Sequence, residues 1–355
     1  MNLLYHGRKI SGILSVLPST ISKFDDEAGN YSFPRDKTMR LKSVMGFNEH
    51  RVVPEGVCVS DLCVFGIERL IADGKLEKDS IDAILLITQS PDHFMPPTSN
   101  IIQGRLGLKR DMICLDINQG CAGFEIGLLQ AFALLDQQEI RKVLVLNADV
   151  LSRKTSKQDR NSYPLIGDAA SITIVERSGD DIPIHANVQM DGSQREALQI
   201  PAGGFRIPAT PATAIMKDDG SGNIRSAENL VMNGQDVFSF VMTEVPPMIQ
   251  SLAAYADTPL EKIDYFLFHQ PNKFMIQKLA EKLEVPYEKM PGNIVENYGN
   301  SSGVTIPVNV TVNLGERAVL ERLKVCFAGF GVGLTWSSIL MDIGKMDFCY
   351  SVNFE

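Results

Sequence analysis

Short apolar runs of β character alternate along this chain with segments in which apolar residues recur at helical spacing. The runs lie at 81–88, 112–117, 142–147, 169–175, 263–269, 323–328 and 334–341, and the helical spacing at 61–72, 121–135, 237–254, 273–283 and 305–314. Such alternation predicts an α/β protein. Val143-Leu144-Val145-Leu146 has no polar interruption, which predicts a sheet covered on both faces. The two halves share a rhythm of strand, helix, later strand and Asn/Gly-containing turn, the mark of an internal duplication. A break near 177–181 divides the chain into 1–180 and 181–355. Between 199 and 228 the chain turns rich in Gly, Pro, Ala and Thr, which predicts a lid over a substrate entrance.

The 355 residues suffice for two domains or two fused halves. A formal net charge of -9 argues against nucleic acid or an anionic membrane as the main partner. No stretch approaches the roughly 18 apolar residues of a membrane span, and no apolar leader follows a basic start. The six cysteines include no C-x-x-C pair, so neither a disulfide framework nor a zinc site is expected. A reducing, cytoplasmic setting follows as the expectation.

Candidate chemistry gathers at the ends of these elements. The 112–117 run stops at Gln119-Gly120, and Cys121 then opens a helical pattern. A helix start favours an anion and would lower a thiol pKa, exposing a reactive thiolate. Position alone leaves two readings open, a nucleophile and a buried structural cysteine. His269 caps the 263–269 run, where open α/β sheets place ligands, and Pro271 ends the strand. Asn300, in Tyr298-Gly299-Asn300-Ser301-Ser302-Gly303, reads equally as a turn or helix-cap asparagine. Gly329-Phe330-Gly331-Val332-Gly333 is a weak signal by itself, since no helix follows it. Together Cys121, His269 and Asn300 supply a nucleophile and two neutral donors. Two donors aimed at one carbonyl would stabilise an enolate, as thioester carbon–carbon bond formation requires. No acidic partner for the histidine is evident, which argues against a papain-like protease.

In order, Gly46-Phe47-Asn48-Glu49-His50-Arg51, Asn118-Gln119-Gly120-Cys121-Ala122-Gly123, Gly167-Asp168-Ala169-Ala170, Met232-Asn233-Gly234, His269-Gln270-Pro271-Asn272 and Tyr298-Gly299-Asn300-Ser301-Ser302 resemble the β-ketoacyl-acyl-carrier-protein synthase III family of the thiolase superfamily. The resemblance spans nearly the whole chain. It implies a thiolase-like five-layered αβαβα fold of two pseudo-symmetric halves, normally a homodimer. It implies that Cys121 accepts an acyl group from a CoA or carrier-protein thioester. The backbone N–H groups of Cys121 and Val332 would form the oxyanion hole, although the family usually has Gly where Val332 stands. His269 and Asn300 would hold the carbonyl of a malonyl thioester as it loses carbon dioxide, His269 as a neutral imidazole donating through one nitrogen. Arg160 would meet the CoA adenine and Asn272 the pantetheine arm. Met95 would reach the partner's acyl pocket. Lys273, Lys278 and Lys282 form either a basic patch for an acyl carrier protein or a solvated helix face. No metal or nucleotide cofactor is implied.

The departures concern the substrate. The tryptophan of housekeeping members is missing near Arg40, an arginine is replaced around Val44, and Phe274 stands where relatives often have an arginine. These changes point to a specialised relative using a longer acyl group or an acyl-carrier donor. Two other readings remain within the same fold. One is an acyltransferase passing the Cys121 acyl group to an oxygen or nitrogen nucleophile. The other is a non-catalytic dimer partner, which the presence of Cys121, His269 and Asn300 disfavours.

Overall fold

A computed structural model describes residues 1–355. Two sheets carry the fold. The six-stranded sheet runs Phe348–Phe354, Arg8–Pro18, Ala169–Arg177, Lys142–Asp149, Ala83–Ile87 and Ile113–Ile117, in that spatial order. The five-stranded sheet runs Asn2–Tyr5, Ile184–Met190, Thr335–Gly344, Arg322–Gly331 and Tyr265–Phe268.

Strand periodicity decides what each sheet face touches, because successive side chains point to opposite sides. Ala83, Leu85, Ile87, Val143 and Val145 face a shared interior. Ile84, Leu86, Leu144 and Leu146 face outward onto helices Val59–Ala72 and Thr98–Leu106. In the second sheet Leu267, Val325 and Phe327 face the same interior, while Phe266, Phe268, Cys326 and Ala328 pack on helices Gly234–Tyr255 and Lys273–Leu283. Between the sheets lie helices Gly123–Leu134 and Thr305–Asn313, through Phe124, Leu128, Phe132, Ile306 and Val310. A helix enclosed on all sides must be apolar all round. Each fully buried Phe or Leu on it contributes about 1.5–3 kcal/mol of transfer free energy. The order is therefore helix, sheet, helix, sheet, helix, the five-layered thiolase-like α/β fold.

The position 180/181 falls between strands Ala169–Arg177 and Ile184–Met190, but the chain ends cross it. Asn2–Tyr5 pairs antiparallel with Ile184–Met190, and Phe348–Phe354 pairs parallel with Arg8–Pro18. Each sheet thus takes an outermost strand from the other half of the sequence.

All seven apolar runs form strands and all five periodic segments form helices, displaced by up to three residues at their ends. Arg8–Pro18, Ile184–Met190 and Phe348–Phe354 escape the pattern because Ser, Gly, His, Asn and Gln interrupt it. Residues 199–228 do not form an open lid. Leu198–Gln199 pairs with Val231–Met232, and Lys217–Asp218 with Ile224–Arg225. Arg225 ties this flap down through Asp159 at 3.3 Å and Asp219 at 2.9 Å. These pairings fold the segment back on itself as a wall.

Candidate active site

Strand Ile113–Ile117 ends in a turn that carries Cys121, and the helix begins two residues later at Gly123. Three glycines let the neighbouring hairpin press against that turn. A Cβ at Gly331 would stand 2.6 Å from the Cys121 sulfur, and one at Gly329 would stand 2.7 Å from the Cys121 carbonyl oxygen. A Cβ at Gly120 would meet Val332 Cγ1 at 2.4 Å and Gln89 Oε1 at 2.3 Å. The Gly-rich turn that looked weak in the sequence is thus the surface on which the sulfur rests.

Burial pushes the Cys121 thiol up to about 11, while the backbone N–H groups of Val332 and of Cys121 itself pull it down. The nearby Asp149 carboxyl adds to the rise. The expected lowering by a helix start is therefore overturned. The sulfur precedes the helix and is 9 % exposed, so losing water outweighs the donors. Thiolate is consequently scarce at neutral pH, and raising the pH releases it. Alkylation of Cys121 by iodoacetamide is expected to accelerate about tenfold per pH unit between pH 7 and 10. Peptide mapping at fixed times checks this. A rate already flat at pH 7 would mean a preformed thiolate.

His269 follows strand Tyr265–Phe268, and its backbone N–H continues the pairing by donating to Ala328 O at 2.8 Å. Its ring is buried with an edge-on contact to Phe330. Burial pushes its pKa down to about 3, so the imidazole is neutral. Nδ1 lies 2.8 Å from Thr305 Oγ1 and 3.1 Å from Ser302 O. Thr305 Oγ1 also accepts from the Gln270 N–H at 3.1 Å and lies 2.9 Å from Ser302 O. Its own proton can go to Ser302 O or to Nδ1. Only the second choice leaves a proton on Nε2.

Asn300 is placed by backbone pairing. Its N–H donates to Leu165 O at 2.7 Å, and its carbonyl accepts from Gly167 N–H at 3.1 Å. A Cβ at Gly167 would stand 2.3 Å from Tyr298 O, so only glycine allows this approach. Asn300 Oδ1 accepts from Ser302 N–H at 2.9 Å, leaving the Nδ2 protons free. Ser302 has a left-handed backbone, φ 60°, at a position that is not glycine, and holds a buried hydroxyl between Cys121 and Asp149.

Two cavities meet at Cys121. One, of about 470 Å3, contains His269, Asn300, Arg160, Asn272 and Phe274. The other, of about 220 Å3, contains Gln89, Asn118, Gln199, Asn300 and Val332. Leu198 and Met232, paired on either side of the 199–228 segment, line both. A larger surface cleft of about 560 Å3, beside Asp257 and Lys289, holds none of these groups. Chemistry, not volume, marks the site.

The other candidates divide. Arg160 lies with its guanidinium carbon 3.3 Å over the Phe33 ring, and burial pushes its pKa down. Asn272 caps helix Lys273–Leu283 through Oδ1 to Met275 N–H at 2.9 Å. Met95 is exposed and lines neither cavity. Lys273 pairs with Glu296 at 3.0 Å and Lys278 with Glu281 at 2.6 Å, while Lys282 donates to Met242 O at 2.7 Å. Thr305, Ser302 and Asp149 escaped the sequence reading. Thr305 carried one legible signal, a hydroxyl residue opening a helical pattern. Asp149, pushed up to about 7 chiefly by burial, carried none.

The layering and the cysteine between two sheets define a thiolase-fold acyltransferase. Residues 115–192 match the description 3-oxoacyl-[acyl-carrier-protein (ACP)] synthase III, and residues 254–343 match the description of its C-terminal part. The chain is 31% identical over 296 residues to a β-ketoacyl-[acyl-carrier-protein] synthase III of Clostridium perfringens, covering 83% of this chain and 88% of that one. It is 31% identical over 305 residues to the Streptococcus mutans enzyme of the same name, covering 85% and 90%. A crystal structure of 3-oxoacyl-(acyl-carrier protein) synthase from Burkholderia xenovorans superposes with a TM-score of 0.92 at 31% identity, covering 100% of this chain and 99% of that one. The chain belongs to the 3-oxoacyl-[acyl-carrier-protein] synthase III family of condensing enzymes. No helix is long and apolar enough to cross a membrane.

Proposed function

We infer that the chain makes a 3-oxoacyl thioester by acylation of Cys121 followed by decarboxylative condensation with a malonyl thioester. The observation that carries this reading is the sulfur at the junction of two cavities, with backbone N–H groups on it and two neutral side-chain donors beside it. In the first step Sγ bonds to the acyl carbon, the donor's C–S bond breaks, and the cysteine proton leaves on the CoA or carrier thiol. The N–H groups of Cys121 and Val332 hold the transient oxyanion. The His269-side cavity, with Arg160 and Asn272, takes the pantetheine-bearing donor, and the Gln89-side cavity takes the acyl group.

In the second step the malonyl carboxylate leaves as carbon dioxide. Its electron pair passes to the thioester carbonyl, held by His269 Nε2–H and Asn300 Nδ2–H. The enolate carbon attacks the acyl carbon, the C–Sγ bond breaks, and the sulfur recovers a proton from water. The low pKa of His269 suits a donor and not a general base, which works best with a pKa near the operating pH. Thr305 then serves as the positioning residue that donates to Nδ1. The steps use only the chain, its two thioesters and the water that returns the last proton. The Lys273, Lys278 and Lys282 face serves an acidic carrier protein after exchanging its present partners. A homodimer fits the open edge of Ile113–Ile117, where Leu115 is exposed and Asp116 draws in the loop bearing Met95 through the Thr98 and Ser99 N–H groups.

Intact-protein mass spectrometry tests the reading. Acyl thioesters are expected to add one acyl group to the chain and none to Cys121→Ala. A malonyl thioester should then clear the adduct, with release of carbon dioxide and a 3-oxoacyl product. An adduct that ignores malonyl donors but clears with an alcohol or amine would establish acyl transfer instead.

A further inference from the structure

The Gln89-side cavity has a mostly apolar lining that carboxamides interrupt. Gln89, Asn118 and Gln199 line it, and their carboxamides make no hydrogen bond within the chain. The one bond recorded for Gln89 runs from its backbone N–H to Asp149 Oδ1 at 2.8 Å. Its side chain lies against the nucleophile turn, since a Cβ at Gly120 would stand 2.3 Å from its Oε1. The amide therefore borders the space that the first carbons of an acyl group on Cys121 must cross. Leu151, Leu165, Ile166 and Leu230 close other parts of the same wall.

A purely alkyl acyl group would displace water from the half-buried Gln89 and Gln199 carboxamides and return none of their hydrogen bonds, which is costly. An acyl group with its own hydroxyl or carbonyl oxygen near the thioester end would return them. Sites built to bond a substrate hydroxyl reject the analogue that lacks it far more strongly than apolar pockets sort chain lengths.

We propose that Gln89 and Gln199 select an oxygen-bearing acyl primer, such as a hydroxyacyl group, over the alkyl primer of equal length. The proposal rests on the acylation of Cys121 inferred above. Its chemistry is the same exchange: the Sγ–acyl bond forms, the CoA sulfur–acyl bond breaks, and the cysteine proton leaves with CoA.

The test uses the full-length protein with equimolar butanoyl-CoA and 3-hydroxybutanoyl-CoA in one tube. The Cys121 adducts, which differ by one oxygen, are read by intact mass at early times. The hydroxylated adduct is expected to lead by at least tenfold. In Gln89→Leu and in Gln199→Leu that ratio is expected to fall at least tenfold. A butanoyl adduct equal to or ahead of the hydroxylated one overturns the proposal while leaving acylation intact. A ratio unmoved in both variants overturns the assignment to these amides. No adduct from either thioester, nor from the same two acyl groups carried on an acyl carrier protein, overturns the acylation reading itself, and the proposal with it. The wild-type competition stands even if a variant fails to fold.

Discussion

His269→Ala is expected to leave Cys121 acylation within a few-fold of the unaltered chain and to slow decarboxylative condensation by about 10²–10³-fold, the usual cost of one oxyanion donor. The asymmetry follows from the geometry. The donors on the sulfur are the N–H groups of Val332 and Cys121, and none comes from the imidazole. The ring is instead set by Thr305 Oγ1, 2.8 Å from Nδ1, beside Asn300. Because burial holds His269 neutral down to about pH 3, its protonation should leave no inflection in the condensation rate between pH 5 and 8. Single-turnover measurement of carbon dioxide release from a malonyl thioester, after acylation has been driven to completion, separates the two steps. Equal losses in both would mean that the ring serves the sulfur as well.

Gly331→Ala is expected to act on the other step. An alanine Cβ would stand 2.6 Å from the sulfur and 2.8 Å from the Cys121 Cβ, against an ordinary contact of about 3.5–4.0 Å. Either the sulfur or the turn must move by about an ångström. A displacement of that size costs about a hundredfold in reactions that depend on alignment. Acylation should fall by that factor, and the Val332 N–H should lose its aim at the oxyanion. The adduct is read by mass against time, with circular dichroism to show that the two sheets persist. Full acylation rate in a folded Gly331→Ala chain would show that the turn does not constrain the sulfur.

Much of this site was legible in the sequence because its residues follow the ends of strands and helices. Cys121 and His269 each follow the end of a strand, where a chain leaving a buried sheet must turn, and Asn300 lies in the Gly-containing turn after helix Ile294–Tyr298. Gly120, Gly167 and Gly331 were legible as glycines, but their reason was not. Each admits a backbone or side chain from a segment distant in sequence, namely Gln89 and Val332, Tyr298, and Cys121. Thr305 looked like a helix start, and its second task appears only once His269 is set above it.

The periodicity of apolar residues by itself determined the α/β class, the double covering of the sheets and the places where reactive side chains leave them. These are local consequences of the two-residue and 3.6-residue repeats. Tertiary structure alone decided the rest. It set the crossing of Asn2–Tyr5 and Phe348–Phe354 between the halves, the closing of residues 199–228 into a wall, and the ionisation of the site. The sequence pattern predicts a lowered thiol at Cys121, and the fold raises it. The reason is that a pKa depends on the water a group has lost and on charges brought from other segments, here Asp149 and the Val332 turn, and no local pattern records either.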